Sequence, residues 1–335
     1  MSSRRVVPFV VMAMLALLTL PTSNASGKGC TRRCLVAGYQ AMGLPSYPGS
    51  TWTHAEATFT THFRNLKAWN YGSTDLDFST PGSYTPEGET GSKPDWGSDL
   101  CPCSSSSDYD LPGNVSQTST GANNSLFSTY TPQIFKKNGW GLTFTAHYTG
   151  PKTYDTTNEG DQTYTWTSGM INTFNKVDFP NPKKGYTDAY VQIKAQMMGY
   201  EGQDNGAWNA LWFLGATNAA TQEIDLQESG LTGDSPDVMF SHDWYPDDSD
   251  TQVVDYTSPD DLSAGYHIYG MEINEKTNTL SMYLDNKLVG TDTNAGSKGP
   301  WFIILDGAIA SQDSAPPTDN VDMSMNVMEV QVFQR

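Results

Sequence analysis

QEIDLQESG, residues 222–230, is the stretch on which the architecture turns. Side chains of a β-strand alternate between its two faces, so Ile224 and Leu226 share one face and Glu223 and Asp225 the other. Apolar residues alternating with acids describe a strand with one side on a core and one side open. Glu228 breaks the alternation. A strict period of two sends it toward the core, and one extra residue, a β-bulge near Leu226 or Gln227, returns it to the carboxylate face. Three acids on one face repel one another and push at least one pKa upward. Glycoside hydrolysis has that requirement, because one carboxylate attacks while another must hold a proton at working pH.

Outward from this stretch the chain keeps strand character. GLTFTAHY, QTYTWTSGMINTF, DAYVQIKAQMM and NALWFLG precede it, and YHIYGMEIN, LSMYLDNKLVG, PWFIILDGAI and MNVMEVQVF follow. Each has strand length and β-branched or aromatic enrichment, with Gly, Pro, Asn and Asp between. Many short strands with turn signals predict an all-β fold, a sandwich or barrel. Residues 51–78, with ATFTTHF, are expected to add earlier strands to the same body. Residues 82–128, rich in Gly, Ser, Thr, Asn and Pro, predict an exposed loop, with Asn114 and Asn123 as glycan acceptors in a glycosylating host.

The N-terminus reads MSSRR, then an apolar run, then PTSNAS. That is the pattern of a cleaved secretory leader over residues 1–26, and Pro8 interrupts an apolar run shorter than the ~20 residues a membrane-spanning helix needs. Arg4 and Arg5 add a weak twin-arginine signal. The remaining 27–335 is expected to form one domain, monomeric, secreted or in the cell wall. Its four cysteines form two tight pairs, Cys30 with Cys34 and Cys101 with Cys103. Export predicts disulfides, cross-linking one pair to the other in either connectivity. A zinc site is the alternative, disfavoured by the narrow Cys-Pro-Cys spacing. With 19 Lys+Arg against 37 Asp+Glu, the net charge is −18. Such a surface repels nucleic acid and other polyanions and suits a neutral polymer.

Sugar rings stack on Trp and Tyr, whose polar edges still hydrogen-bond. Trp208, Trp212, Trp244 and Trp301 are the candidate platforms. Trp208 and Trp212 share a strand face, with core packing an equal reading for either. Trp244, in the polar SHDWYPDDSD, is expected to line a cleft with His242 as a hydroxyl partner. Asp247, Asp248 and Asp250 read as a solvated loop, although oxygen-rich loops are what calcium uses.

From Tyr130 to the C-terminus the order of segments resembles glycoside hydrolase family 16: YTWTSGMINTF, GYTDAYVQIKAQMM, GAWNALWFLG, QEIDLQESG, FSHDW, GYHIYGMEINEKTNTLSMYLDNKLVG and MEVQVFQR. The Glu-x-Asp-x-x-Glu spacing is similar to its laminarinase-like branch. The resemblance implies a two-sheet antiparallel β-sandwich, a concanavalin-like jelly roll with a concave cleft. It implies Glu223 as nucleophile, Glu228 as general acid and then base, and Asp225 as the group that positions and tunes them, with no cofactor. The implied activity is retaining endo-hydrolysis of β-1,3- or mixed β-1,3/1,4-glucan, or transglycosylation by the same chemistry. A non-catalytic glycan-binding protein on the same fold is the rival reading. The chain departs from the family pattern at GATNAATQEID, where Gln222 replaces a Gly and no Trp precedes the motif.

Overall fold

The computed structural model describes Trp52, residues 57–63, 125–127 and 135–138, and the chain from Gly141 to Arg335 apart from 157–159, 174–176, 200–206, 217–221, 230–237, 245–249, 296–298 and 310–321. All of these belong to one compact unit, Met42–Arg335. The leader, the four cysteines, Asn114, Asn123, Asp247, Asp248 and most of the expected loop lie outside the described residues. The far end of that loop is corrected, because residues 125–127 pair as a strand.

Fifteen strands are described. β1 (Phe59–His62), β2 (Ser125–Phe127) and β3 (Phe135–Asn138) are short. β4 (Gly141–Thr156) and β5 (Gly160–Asn172) form a long hairpin. Then come β6 (Asp188–Gln196), β7 (Ala207–Gly215), β8 (Glu223–Ser229), β9 (Val238–Trp244) and β10 (Asp250–Thr257). β11 (His267–Asn274), β12 (Thr279–Leu284), β13 (Lys287–Asp292), β14 (Trp301–Ile309) and β15 (Met323–Gln334) complete the set. The neighbour order is β10-β9-β8-β7-β14-β5 on one side and β4-β15-β6-β11-β12-β13 on the other, joined through the β4–β5 pair. Every pairing between described strands is antiparallel except β2 with β5.

Alternation decides which side of each sheet is buried. Ile224 and Leu226 of β8 enter the main core with Leu211 and Phe213 of β7 and Ile303 and Leu305 of β14. They meet Val191 and Ile193 of β6, Tyr269 and Met271 of β11 and Val330 and Val332 of β15. Each such side chain contributes roughly 1.5–3 kcal/mol by leaving water. These two facing layers make the fold a jelly-roll β-sandwich. The segment LSMYLDNKLVG divides into β12 and β13 at Asp285 and Asn286, whose φ values of 48° and 64° are the left-handed pair that a two-residue hairpin turn requires. Gly290 of β13 lets that strand approach β10: a Cβ there would collide with the Val253 carbonyl oxygen.

β14 is buried along its whole length. Its second face carries Phe302, Ile304 and Ala308, which cluster with Met170 and Leu214 and against Trp208 and Trp212. Trp301 points the other way, into the main core at 0% exposure. The expectation of a sugar platform at Trp301 is therefore corrected: a ring with no exposed surface cannot stack on a ligand.

On the outer side of the β6–β11–β12 layer, Glu272 accepts hydrogen bonds from Trp52 Nε1 at 2.8 Å and Tyr283 OH at 3.0 Å. Arg335 lies 3.9 Å from Glu272, bonds Asp188 at 3.1 Å and stacks 4.1 Å above the Trp52 ring.

Candidate active site

The bulge that Glu228 needs is present. Against β7, Asp225 faces Trp212 and Gln227 faces Leu211, so Leu226 has no opposite number. Against β9, Asp225 faces His242 and Glu228 faces Phe240, leaving Ser241 opposite two residues. Ser241 Oγ donates to the Leu226 carbonyl at 2.6 Å, and Gln227 Nε2 to the Val238 carbonyl at 3.3 Å. These two bonds hold the extra residue in place. Leu226 stays in the core and Glu228 rejoins the face of Glu223 and Asp225. Six residues of β8, from Glu223 to Glu228, are matched by the five from Leu214 to Ala210, shortening the Cα span from ~16 to ~13 Å.

Three tryptophans hold the carboxylates. Trp208 Nε1 donates to Glu228 at 2.9 Å, Trp244 Nε1 to Asp225 at 3.0 Å and Trp212 Nε1 to Asp306 at 2.6 Å. Each indole reaches diagonally to a residue two positions along the neighbouring strand, a distance within reach of an aromatic side chain. Indole is a donor without an acceptor, so each bond fixes one carboxylate oxygen without offering a site for its proton. Trp208 and Trp212 do share one face, and both remain partly exposed. His242 lies beside the acids, its Nδ1 3.6 Å from Glu228. Ligand atoms of Asp225, Glu228 and His242 all fall within 4.8 Å of one another.

The electrostatics follow from burial. Desolvation first, then the charge of Glu228, push Glu223 up to about 7, with His242 opposing. Asp225, 3% exposed, is raised well above the usual range by desolvation and then by Glu223 and Glu228, and the Trp244 bond only moderates this. Among the described residues, the charged groups acting on these acids are one another, Asp306 and the imidazole of His242.

Asp306 is the residue that sequence reasoning missed. It stands on β14 within WFIILDGAI, 5% exposed, on the same face as the motif acids. Burial, with Glu228 and Glu223 adding to it, pushes its carboxyl up to about 8, opposed by the Trp212 bond. A lone acid inside a nine-residue apolar run was the available signal.

The jelly-roll sandwich, with a bulged Glu-x-Asp-x-x-Glu strand on one sheet, is the fold of solved laminarinases and endo-β-1,3-glucanases, and the chain is similar to them in fold. Among curated proteins it is 26% identical over 160 residues to the endo-1,3-1,4-β-glycanase EglC of Rhizobium meliloti, an alignment spanning 47% of this chain but only 31% of that protein. Among solved structures it is similar to SCLam, a non-specific endo-β-1,3(4)-glucanase from family GH16, with a TM-score of 0.58 and 14% identity over 88% of this chain and 96% of the other. The laminarinase of Flavobacterium sp. UMI-01 aligns at TM-score 0.51 and 19% identity, covering 83% and 100%. The laminarinase catalytic domain of Thermotoga maritima aligns at 0.51 and 21%, covering 64% and 84%. No family model matches the chain.

Proposed function

We propose that this protein is a secreted, retaining endo-β-glucanase acting on β-1,3- or mixed β-1,3/1,4-glucan. The observation that carries the reading is the bulge, which brings Glu223, Asp225 and Glu228 to one face among three indole donors. The names of its relatives, glucanases of β-1,3 and β-1,3-1,4 linkages, support the substrate class. The apolar leader sequence supports export.

In this reading the Glu223 carboxylate attacks the anomeric carbon while Glu228 gives its proton to the departing glycosidic oxygen. Water, its proton taken by Glu228, then cleaves the glycosyl ester, and configuration is retained over two inversions. Another sugar hydroxyl in place of that water would give transglycosylation. Asp225 lies between the two glutamates in the strand and is coupled by charge to both.

The test is a reducing-sugar assay across neutral and charged β-glycans, followed by Glu223→Ala. That variant should lose turnover, and azide should restore it with inverted product, because the anion occupies the vacated face of the sugar. Near-parental rates in Glu223→Ala would refute the role. Glycan binding without cleavage by the parent protein would instead establish a binding module. An attacking carboxylate must be ionised, so kcat/KM of the parent is expected to fall as pH drops through about 7, the Glu223 value.

A further inference from the structure

Asp306 of β14 faces Ala210 of β7, and Ala210 in turn faces Glu228 of β8. The three positions form one line across three strands, with ~10 Å between the outer Cα atoms. The middle position of that line carries only a methyl group. Two residues to either side on β7 stand Trp208 and Trp212, whose indoles bond Glu228 and Asp306 respectively. The two carboxyls thus stand on strands either side of Ala210, each fixed by an indole two residues from it along β7.

We propose that Asp306 is a positioning residue of this site, anchoring the Trp212 indole and, across Ala210, coupling by charge to Glu228. The proposal rests on the glycosidase reading, in which Glu228 is the proton donor. Among the described residues, Asp306 has Met170 of β5 and Ala210 of β7 as opposite numbers, Trp212 of β7 as hydrogen-bond donor, and Glu223, Asp225 and Glu228 of β8 as the acids coupled to it. With its carboxyl raised to about 8, Asp306 is neutral when Glu223 ionises near 7 and becomes charged only on the alkaline side. Among the charges acting on Asp306, that of Glu228 comes first, so the two carboxyls are coupled across Ala210.

Asparagine at 306 keeps an oxygen for the Trp212 indole and cannot ionise, whereas alanine loses both functions. Full-length parent, Asp306→Asn and Asp306→Ala should be compared in pH profiles of kcat and KM on the glucan the parent cleaves. Asp306→Asn should keep KM and the acid limb and displace the alkaline limb by about half to one pH unit, a shift of the size one nearby charge produces. Asp306→Ala should show the same shift and also lose on the order of tenfold in kcat, as expected when a misplaced indole disturbs a reacting geometry. In parallel, carboxyl-carbon NMR of protein labelled at Asp and Glu identifies the Asp306 signal by its absence from Asp306→Asn. That signal should titrate on the alkaline side of neutrality in the parent and move to lower pH in Glu228→Gln. A superimposable alkaline limb in Asp306→Asn overturns the proposal, as does an Asp306 signal indifferent to Glu228→Gln. If the parent cleaves no glycan, the NMR arm alone decides: a responding signal upholds the Asp306–Glu228 coupling and the glycosidase reading falls by itself.

Discussion

Two clusters of acids sit on the outer faces of the two layers, and their partners differ in kind. Glu272 has a tyrosine hydroxyl, the Trp52 indole and the guanidinium of Arg335 around it, and Arg335 also pairs with Asp188. A cation in the set compensates the charge, so the cluster clamps strands together. Glu223, Asp225, Glu228 and Asp306 have three indoles and one imidazole. Indoles orient carboxylates without neutralising them, so burial first and mutual repulsion second raise the proton affinity of Glu223, Asp225 and Asp306. The same residue type is balanced where a cation accompanies it and shifted in proton affinity where indoles and a single imidazole surround it.

Three substitutions would sharpen or break this contrast, beginning with the largest effect. Glu228→Ala is expected to lower kcat by about 10²–10⁴-fold on glucan, the usual contribution of a placed general acid, while retaining more activity on aryl glycosides whose leaving group needs no proton. Equal losses on both substrates would remove Glu228 from that role. Glu272→Ala is expected to do the reverse. It should cost about 1.5–3 kcal/mol of stability by denaturant unfolding, the worth of hydrogen bonds to a charged group, and leave kcat within the scatter of the parent. A large drop in kcat with unchanged stability would erase the distinction between the clusters. Asp225→Asn should keep the fold and slow turnover without abolishing it, since it removes a carboxyl coupled to both glutamates and makes no bond to sugar.

Stability against pH gives the smallest and most direct comparison. Glu223 and Asp306 have folded-state values of about 7 and about 8, above those of an unfolded chain. Folding then favours their protonated forms, so the contribution is fully present below the unfolded carboxylate value, roughly 4, and is lost as pH rises through 7 to 8. Tm is expected to decline between pH 5 and pH 8, and Glu223→Gln should flatten part of that slope. Calorimetry across that range checks both.

Much of this was legible in the residues. The alternation in QEIDLQES placed Ile224 and Leu226 in the core, and the misfit of Glu228 required a bulge at the position where β8 has one. The shared face of Trp208 and Trp212 followed from a period of two. β14 was less readable because both of its faces are buried. An uninterrupted apolar run carries no periodicity, so nothing distinguished Trp301, in the core, from its neighbours on the opposite face. Asp306 was hidden for the same reason, having no second acid at a meaningful spacing. Its role is visible only in the register that lines it up with Ala210 and Glu228. Asp250 had been read with a solvated loop, whereas it opens β10.

The position of β14 also constrains how the molecule is made. β7 to β10 form a meander of sequential neighbours that can pair as they leave the ribosome, carrying every acid of the QEIDLQES segment. The other edge of β7 belongs to β14, which is synthesised only after β8 to β13. Until then a hydrophobic strand edge stands open, the kind of surface that invites pairing with another chain. A nascent chain stopped before Trp301 would thus contain the whole acid motif yet lack both Asp306 and the strand that closes the sheet beside it. Soluble yield of such truncations, compared with the full chain, would measure how much of the folding burden falls on that late insertion.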